Sequence, residues 1–416
     1  MKTNFRKITT FLLLIITHQF VQAQPDTLWT KLIGGESQDM IYSLDLIDEN
    51  SFVVSGRYSS NWFLAKLDYD GNVTWNQTYT NSIGRAYSVK NTNDGGFILA
   101  GEHDDSPYPL ARIIKTNNYG GLQWQQDYEY GASQSDYFKS IVETNDGGYA
   151  ACGVGATENN GSVMYGHWIV KTDSQGNEQW SHYFGIDEHQ GSSGQAIMAT
   201  SDGYFVTVGA AQHTPDQGFS NLTIKKLNIS GGIEWQIEWN NGDELNSCFG
   251  YDIIENQEGN YIVLEEENIV QVSPSGEIIS FTPLPTSPFS LRKIKQTQDG
   301  GYIATGNVSV FNEETGWNEN ICVVKLSSSF NHIWTKTVGG EGYDDGYDIQ
   351  ELSDTGFIVA GYTNSYGSGS EDGWIIRLEE DETQYTSVSG SAFTVAADNV
   401  TTSTLNIPDS GNITDV

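Results

Sequence analysis

Residues 66–75 read Lys-Leu-Asp-Tyr-Asp-Gly-Asn-Val-Thr-Trp, and their frame returns along the chain. Lys115 leads to Trp124, Lys171 to Trp180, Lys226 to Trp235 and Lys325 to Trp334, each nine positions on. In the first four copies a Gly stands five positions after the Lys (Gly71, Gly120, Gly176, Gly231), between two short apolar runs. A residue free to take positive φ between alternating runs is a β-hairpin signal. Recurrence at roughly 45 to 55 residues, all strand and turn, predicts a β-propeller.

Working outward, each repeat divides into four short strands, here a to d. In the first, a is 40–47, b is 52–56, c is 62–67 and d is 73–79, with the apolar/polar alternation of half-buried antiparallel strands. The second has a at 85–92 and d around Trp124. Asp94-Gly95-Gly96, Asp146-Gly147-Gly148, Asp202-Gly203, Asp299-Gly300-Gly301 and Asp354 to Gly356 mark the a–b turns. The fifth repeat, about 249–284, is degenerate: Gln271 stands for the Lys, Ser280 for the Trp and Glu265 for the strand-b Gly. The seventh has no fourth strand after Leu378, but Leu28 to Gly35 matches Ile333 to Gly340 as an orphan strand d. The expectation is an all-β, seven-bladed propeller over 24–380, closed by the N-terminal strand, which removes open sheet edges. Trp29, Trp75, Trp124, Trp180, Trp235 and Trp334 form its repeat core; a fully buried Trp removes about 150–250 Å² from water, roughly 4–6 kcal/mol at about 25 cal/mol/Å².

Lys2, Arg6 and Lys7, the apolar run 11–16 and Val21-x-Ala23 have the form of a signal peptide over 1–23, so a secreted or cell-surface location is expected. The apolar run is too short to span a bilayer. With 20 Lys+Arg against 54 Asp+Glu the net charge is −34, which disfavours nucleic acid and anionic lipid as partners. The acidity also admits Ca²⁺ as a bound ion. Cys152, Cys248 and Cys322 fall in different repeats and are expected as small buried side chains rather than disulfide partners. From 381 to 416 the composition shifts to Ser, Thr, Val and Gly, as in a linker and the start of a second β domain.

Phrases such as Asp94-Gly95-Gly96-Phe97-Ile98-Leu99-Ala100-Gly101 and Trp168-Ile169-Val170-Lys171 resemble the propeller repeats of secreted proteins from Bacteroidetes-type bacteria. The likeness implies a propeller and export. The Leu-Asp-x-x-Gly-x-x-x-Trp phrase also looks like the blade repeat of quinoprotein-type propellers, without a matching quinone site. The tail 403–416 is similar to the opening of a P domain of proprotein-convertase type, which implies an accessory β-sandwich.

In such a blade the a–b and c–d turns share one face, and the b–c loops and d–a crossings the other. The first face carries short turns; the second carries the long segments 102–109, 155–166, 211–220, 308–319 and 363–373, where function on a rigid scaffold concentrates. They hold the carboxylates Asp104, Asp105, Glu158, Asp216, Glu313, Glu314, Glu371 and Asp372, and the aromatics Tyr108, Tyr165, Trp317 and Tyr366. Rings to stack and carboxylates to accept hydroxyl hydrogens suit a glycan or peptide; taken singly, each residue also fits an ordinary solvated loop. Asp68-x-Asp70-Gly71-Asn72 has the oxygen spacing of a Ca²⁺ loop opening and equally that of a hairpin turn. His182, Asp187, Glu188 and His189 lack zinc-site spacing. No Gly-x-Ser-x-Gly elbow is present. The expected role is non-enzymatic recognition of an extracellular protein or glycan through the long-loop face. The alternatives are a polysaccharide hydrolase or lyase using carboxylates over the central channel, the accessory region of a protease-associated P-domain protein, or a structural spacer.

Overall fold

Alternating apolar residues build the expected strands, and every regular element among the described residues is a β-strand. The computed structural model describes residues 27–104, 108–131, 135–159, 162–185, 191–211, 220–240, 248–284, 289–312, 316–379 and 402–405. The signal-peptide expectation for 1–23, and that of a second domain save for 402–405, lie outside them. So do Asp105, Asp216, Glu313, Glu314, Asp187, Glu188 and His189.

The strands form sheets of four to seven strands, antiparallel and of neighbours in sequence except in the last. Strand a runs at Met40–Asp48, in the second half of Val73–Asn91, and at Tyr137–Glu143, Ser192–Ala199, Gly250–Glu255, Phe289–Gln296 and Asp344–Glu351. Each of these packs on the next in that order, and Asp344–Glu351 packs on Met40–Asp48. In the last sheet, Asp372–Leu378 pairs antiparallel with Thr27–Ile33, which pairs parallel with Thr402–Leu405. Apolar clusters lie between consecutive sheets; one joins Ile41, Leu44, Phe52 and Phe63 near the start to Leu352, Ile358 and Ile375 near the end.

Two local expectations are corrected. Strand d of the first unit and strand a of the second are one continuous strand, Val73–Asn91, because Gly84 at φ 130° lets the chain turn inward without a separate loop. The described parts of segments 155–166 and 308–319 are strand, not loop. Alternation carries strands b and c onward into two long hairpins, Tyr149–Asn159 with Ser162–Thr172 and Tyr302–Asn312 with Gly316–Leu326.

The repeated Lys, Gly and Trp are contacts between elements. The c–d turn Gly (71, 120, 176, 231 and 276) takes φ of 75 to 87°, and a Cβ on it would press on the indole of the preceding unit's Trp (29, 75, 124, 180 and 235). Four of these indoles also donate to a carbonyl of the turn: Trp29 to Tyr69 at 3.1 Å, Trp124 to Ser174 at 3.1 Å, Trp180 to Ile229 at 2.9 Å and Trp235 to Pro274 at 3.0 Å. These five rings are half-buried and Trp334 is buried; the fully buried indoles are Trp62, Trp168 and Trp374 on strand c. Lys66 is half-buried, but in the other four of the five frame copies the Lys is buried and salt-bridged to the a–b turn Asp: Lys115 to Asp94 at 2.8 Å, Lys171 to Asp146 at 3.0 Å, Lys226 to Asp202 at 2.7 Å and Lys325 to Asp299 at 2.8 Å. Arg377 does the same for Asp354. Desolvation alone would raise Asp94, but the bonds from Lys115, Thr92 and Gly96 outweigh it and hold the carboxyl down at about 2.

Candidate functional site

The strand-b glycine of the repeat organises the inner face. Gly56, Gly101, Gly153, Gly209, Gly306 and Gly361 lie so close to strand a that a Cβ would fall inside the carbonyl oxygens of Met40, Arg85, Tyr137, Ser193, Ser290 and Asp345 respectively. Opposite each of them strand a carries one extra residue, a β-bulge. In the fifth unit Glu265 takes the glycine's place, and strand a supplies Gly250 there instead. Bulges re-aim a side chain out of the ladder. The extra residues are Tyr42, Tyr87, Lys139, Gln195, Tyr251, Arg292 and Tyr347, all near the start of strand a and so towards the face of the long hairpins.

These residues meet one another. Tyr42 packs edge-on against Tyr87 at 5.0 Å and against Tyr347 at 5.1 Å between ring centroids. The Lys139 ammonium stands 3.7 Å from the centre of the Tyr87 ring and 5.2 Å from that of Tyr137. The Arg292 guanidinium lies 5.3 Å from the Tyr347 ring and is salt-bridged to Asp345 at 2.8 Å. Arg85 pairs with Glu102 in the same way. Burial pushes Lys139 down to about 8, with Arg85 and Arg292 adding to the shift and Glu102 opposing it. Lys225 is likewise lowered to about 8, chiefly by burial, with its ammonium 4.9 Å from the Phe184 ring. Burial also raises Tyr347 to about 12. The result is a ring of phenols with cations on their π-faces, and with its carboxylates held in ion pairs.

One step further along strand a, side chains tie neighbouring units. Asp348 accepts from the Leu44 N–H at 3.0 Å and the Ser43 hydroxyl at 3.2 Å. Ser43 accepts from the Val89 N–H at 3.2 Å, and Asp252 from the Ile294 N–H at 3.1 Å. The ring is thus set on a rigid frame.

The sequence-picked residues are distributed differently from expectation. Asp104 and Tyr108 are exposed beside the hairpin face, while Glu158 and Tyr165 are exposed on the Tyr149–Thr172 hairpin. Trp317 is 65% exposed at the other hairpin, edge-on to Phe311 at 5.3 Å. Three others lie less open than a loop position implies. Tyr366 is half-buried against Trp374 at 5.4 Å and donates to the Gly339 carbonyl at 3.1 Å. Asp372 is buried within a strand, where Gly34 and Gly367 close over it, and its carboxyl is pushed up to about 6 by burial. Glu371 is half-buried, and its carbonyl accepts the Asp39 N–H at 2.8 Å. The Asp68 carboxylate is taken up by its own turn, accepting from Asp70 N–H at 3.0 Å and Asn72 N–H at 2.7 Å. His182 Nε2 lies 2.8 Å from the Gly231 carbonyl. The three thiols are buried. The bulge ring was missed, although a Gly inside six of the seven b strands is the signal of a bulge or a close backbone approach.

No family model matches the chain, and no curated protein does. Among solved structures it is similar to a protein of unknown function from Bacteroides caccae (13% identity, 70% of this chain and 94% of that one, TM-score 0.45). A protein of unknown function from Dyadobacter fermentans is similar at 12% identity over 85% and 99% of the two chains, with a TM-score of 0.49. The Pan2 WD40 domain of Neurospora crassa is similar at 9% identity over 83% and 90%, again with a TM-score of 0.49. Every one of these scores is below 0.5, too distant to transfer a role. Among the described residues no helix is long and apolar enough to cross a membrane.

Proposed function

We propose that the chain is a seven-bladed β-propeller, closed by Thr27–Ile33 completing the last blade, that is exported and recognises an extracellular protein or glycan without turning it over. The observation that carries this reading is the bulge ring: seven side chains lifted out of the ladder, six of them aromatic or cationic, on the face from which two hairpins project. Phenol faces and edges, with the Lys139 cation among them, form a contact surface that needs little ordering on binding. Ion pairs hold Glu102 and Asp345 as structural charges, which favours recognition over proton transfer by these two groups.

The test is binding of the purified protein to arrays of glycans and cell-surface proteins, with and without Ca²⁺, each hit then being assayed for product release. Binding without turnover is expected; release of product would replace this reading with hydrolase or lyase activity. Binding should weaken about tenfold in Lys139→Ala, the scale of one desolvated cation contact. Because Lys139 is charged below its pKa of about 8 and neutral above it, the same affinity should fall between pH 7 and pH 9. A pH-flat affinity would remove Lys139 from the site.

A further inference from the structure

The fifth unit departs from the repeat at positions that meet in one place. At five joints an indole lies on the φ-positive Gly of the next c–d turn. At the joint between the fifth and sixth units the indole is absent, since Ser280 replaces the Trp, and the turn holds Phe330 in place of Gly at φ 61°. A non-glycine residue there is strained, and its ring takes part of the vacated space, stacking on Tyr302 at 4.8 Å with 28° between planes. The ion pair goes as well: Gln271 stands for the Lys and Glu258 for the turn Asp.

What remains is a cleft of about 320 Å³ on the short-turn face, lined by Glu258, Gln271, Ser280, Thr282, Tyr302 and Phe330 among others. Asn256 accepts from the Glu258 and Asn260 N–H groups at 3.1 and 2.9 Å and Gln296 from the Gln257 N–H at 2.8 Å, but the groups at the substituted positions are lightly used. The Ser280 hydroxyl reaches Gln271 only at 3.5 Å, and the Glu258 carboxylate meets the Asn260 amide at 3.5 Å. At the intact joint, by contrast, Lys115 engages both Asp94 oxygens, at 3.0 and 2.8 Å. The volume is at the small end of ligand sites, about 300 Å³ and upward. Hydroxyl and amide walls above the buried Tyr302 and Phe330 rings, with a Glu258 carboxylate that makes no ion pair among the described residues, suit a neutral polyhydroxylated ligand and disfavour an anion.

We propose that this cleft binds a neutral saccharide of one or two rings, at a site separate from the bulge ring. The test is saturation-transfer NMR of the full chain with glucose, galactose, mannose, N-acetylglucosamine and their disaccharides, each at about 10 mM, a concentration suited to millimolar affinity. The control variant Gln271→Lys/Ser280→Trp/Phe330→Gly writes the repeat's own residues into the joint and fills the cleft as its neighbours are filled. We expect at least one sugar to bind the wild type, the filled variant to keep a thermal midpoint no lower than wild type, and its affinity to drop at least tenfold. Glu258→Gln, on an exposed turn, should weaken binding several-fold with folding intact, while Lys139→Ala should leave it unchanged. Silence of the wild type towards every sugar overturns the proposal. So does binding that survives in the filled variant, or binding that is lost in Lys139→Ala but kept in the filled variant, which would put the sugar at the ring. Should the filled variant misfold, Ser280→Leu alone must reduce binding, and unchanged affinity there overturns the site equally.

Discussion

A single missing Cβ decides where the ring residues point. Gly101 lies against the Arg85 carbonyl with no room for a methyl group, and Tyr87 is the residue bulged opposite it. Gly101→Ala should cost about 1–3 kcal/mol, the scale of an overpacked interior site, measured by chemical denaturation, and should also weaken partner binding by re-aiming Tyr87. The Lys–Asp pairs are asymmetric. The Lys115 side chain is 3% exposed and that of Asp94 54%. Removing the carboxylate in Asp94→Ala strands a buried ammonium and should destabilise by about 2 kcal/mol, below the range for fully buried pairs because solvent screens Asp94. Lys115→Met, which returns Asp94 to water, should cost less, and the reverse order by thermal denaturation would show that the pair is not what holds the turn. Of all this, the sequence made the Lys, Gly and Trp spacing legible because each is a fixed contact made at nearly every joint. Which Asp the Lys reaches was not legible, since the two lie more than 20 positions apart, one on strand c and the other on the a–b turn.

At the scale of elements, the two long hairpins read as loops because Gly155, Gly166, Ser162 and Gly316 interrupt an alternation that strand pairing then continues regardless. Carboxylates and aromatics in long segments are legible by type and position, but their exposure depends on packing partners that spacing does not show. Trp317 and Tyr366 illustrate the difference: one lies open on a hairpin, the other is held between Trp374 and the Gly339 carbonyl. Trp317→Ala should therefore leave stability within about 0.5 kcal/mol of wild type, with any effect falling on partner binding. Tyr366→Ala should lose about 2 kcal/mol, less than a fully buried ring. Equal losses of stability in both, by urea titration, would contradict this placement. Strand order within each sheet was legible, because hairpin connections leave only sequential pairing open, as was the orphan strand at 28–35, which pairs with the strand carrying Trp374.

For the molecule as a whole, charge is the variable that tunes stability. Asp136 and Asp372 are both raised to about 6, in each case chiefly by burial. A carboxyl whose folded pKa lies above its unfolded one binds more protons in the folded state over the interval between the two. Its contribution is therefore fully present in acid and is lost as pH rises from about 4 to 6. The two together should lower the unfolding free energy across that window by up to about 6 kcal/mol, at about 1.4 kcal/mol per unit and group. Asp94 works in the opposite sense, contributing stability above pH 4 that is lost only towards pH 2. Asp372→Asn should flatten the slope between pH 4 and 6 by nearly half in denaturation series; an unchanged slope would mean that Asp372 titrates normally.

The bulge ring has one more implication. Its seven residues are the ones that strand pairing leaves uncounted, so their identity is decoupled from ladder register and from the apolar joints behind them. Tyr, Lys, Gln and Arg already occupy the same structural position in different units of one chain. The scaffold is in effect a set of seven sockets, in which the chemistry of the inner face can be rewritten while the folding code stays as it is, provided that plugs in contact change together, as Arg292 must with its buried partner Asp345.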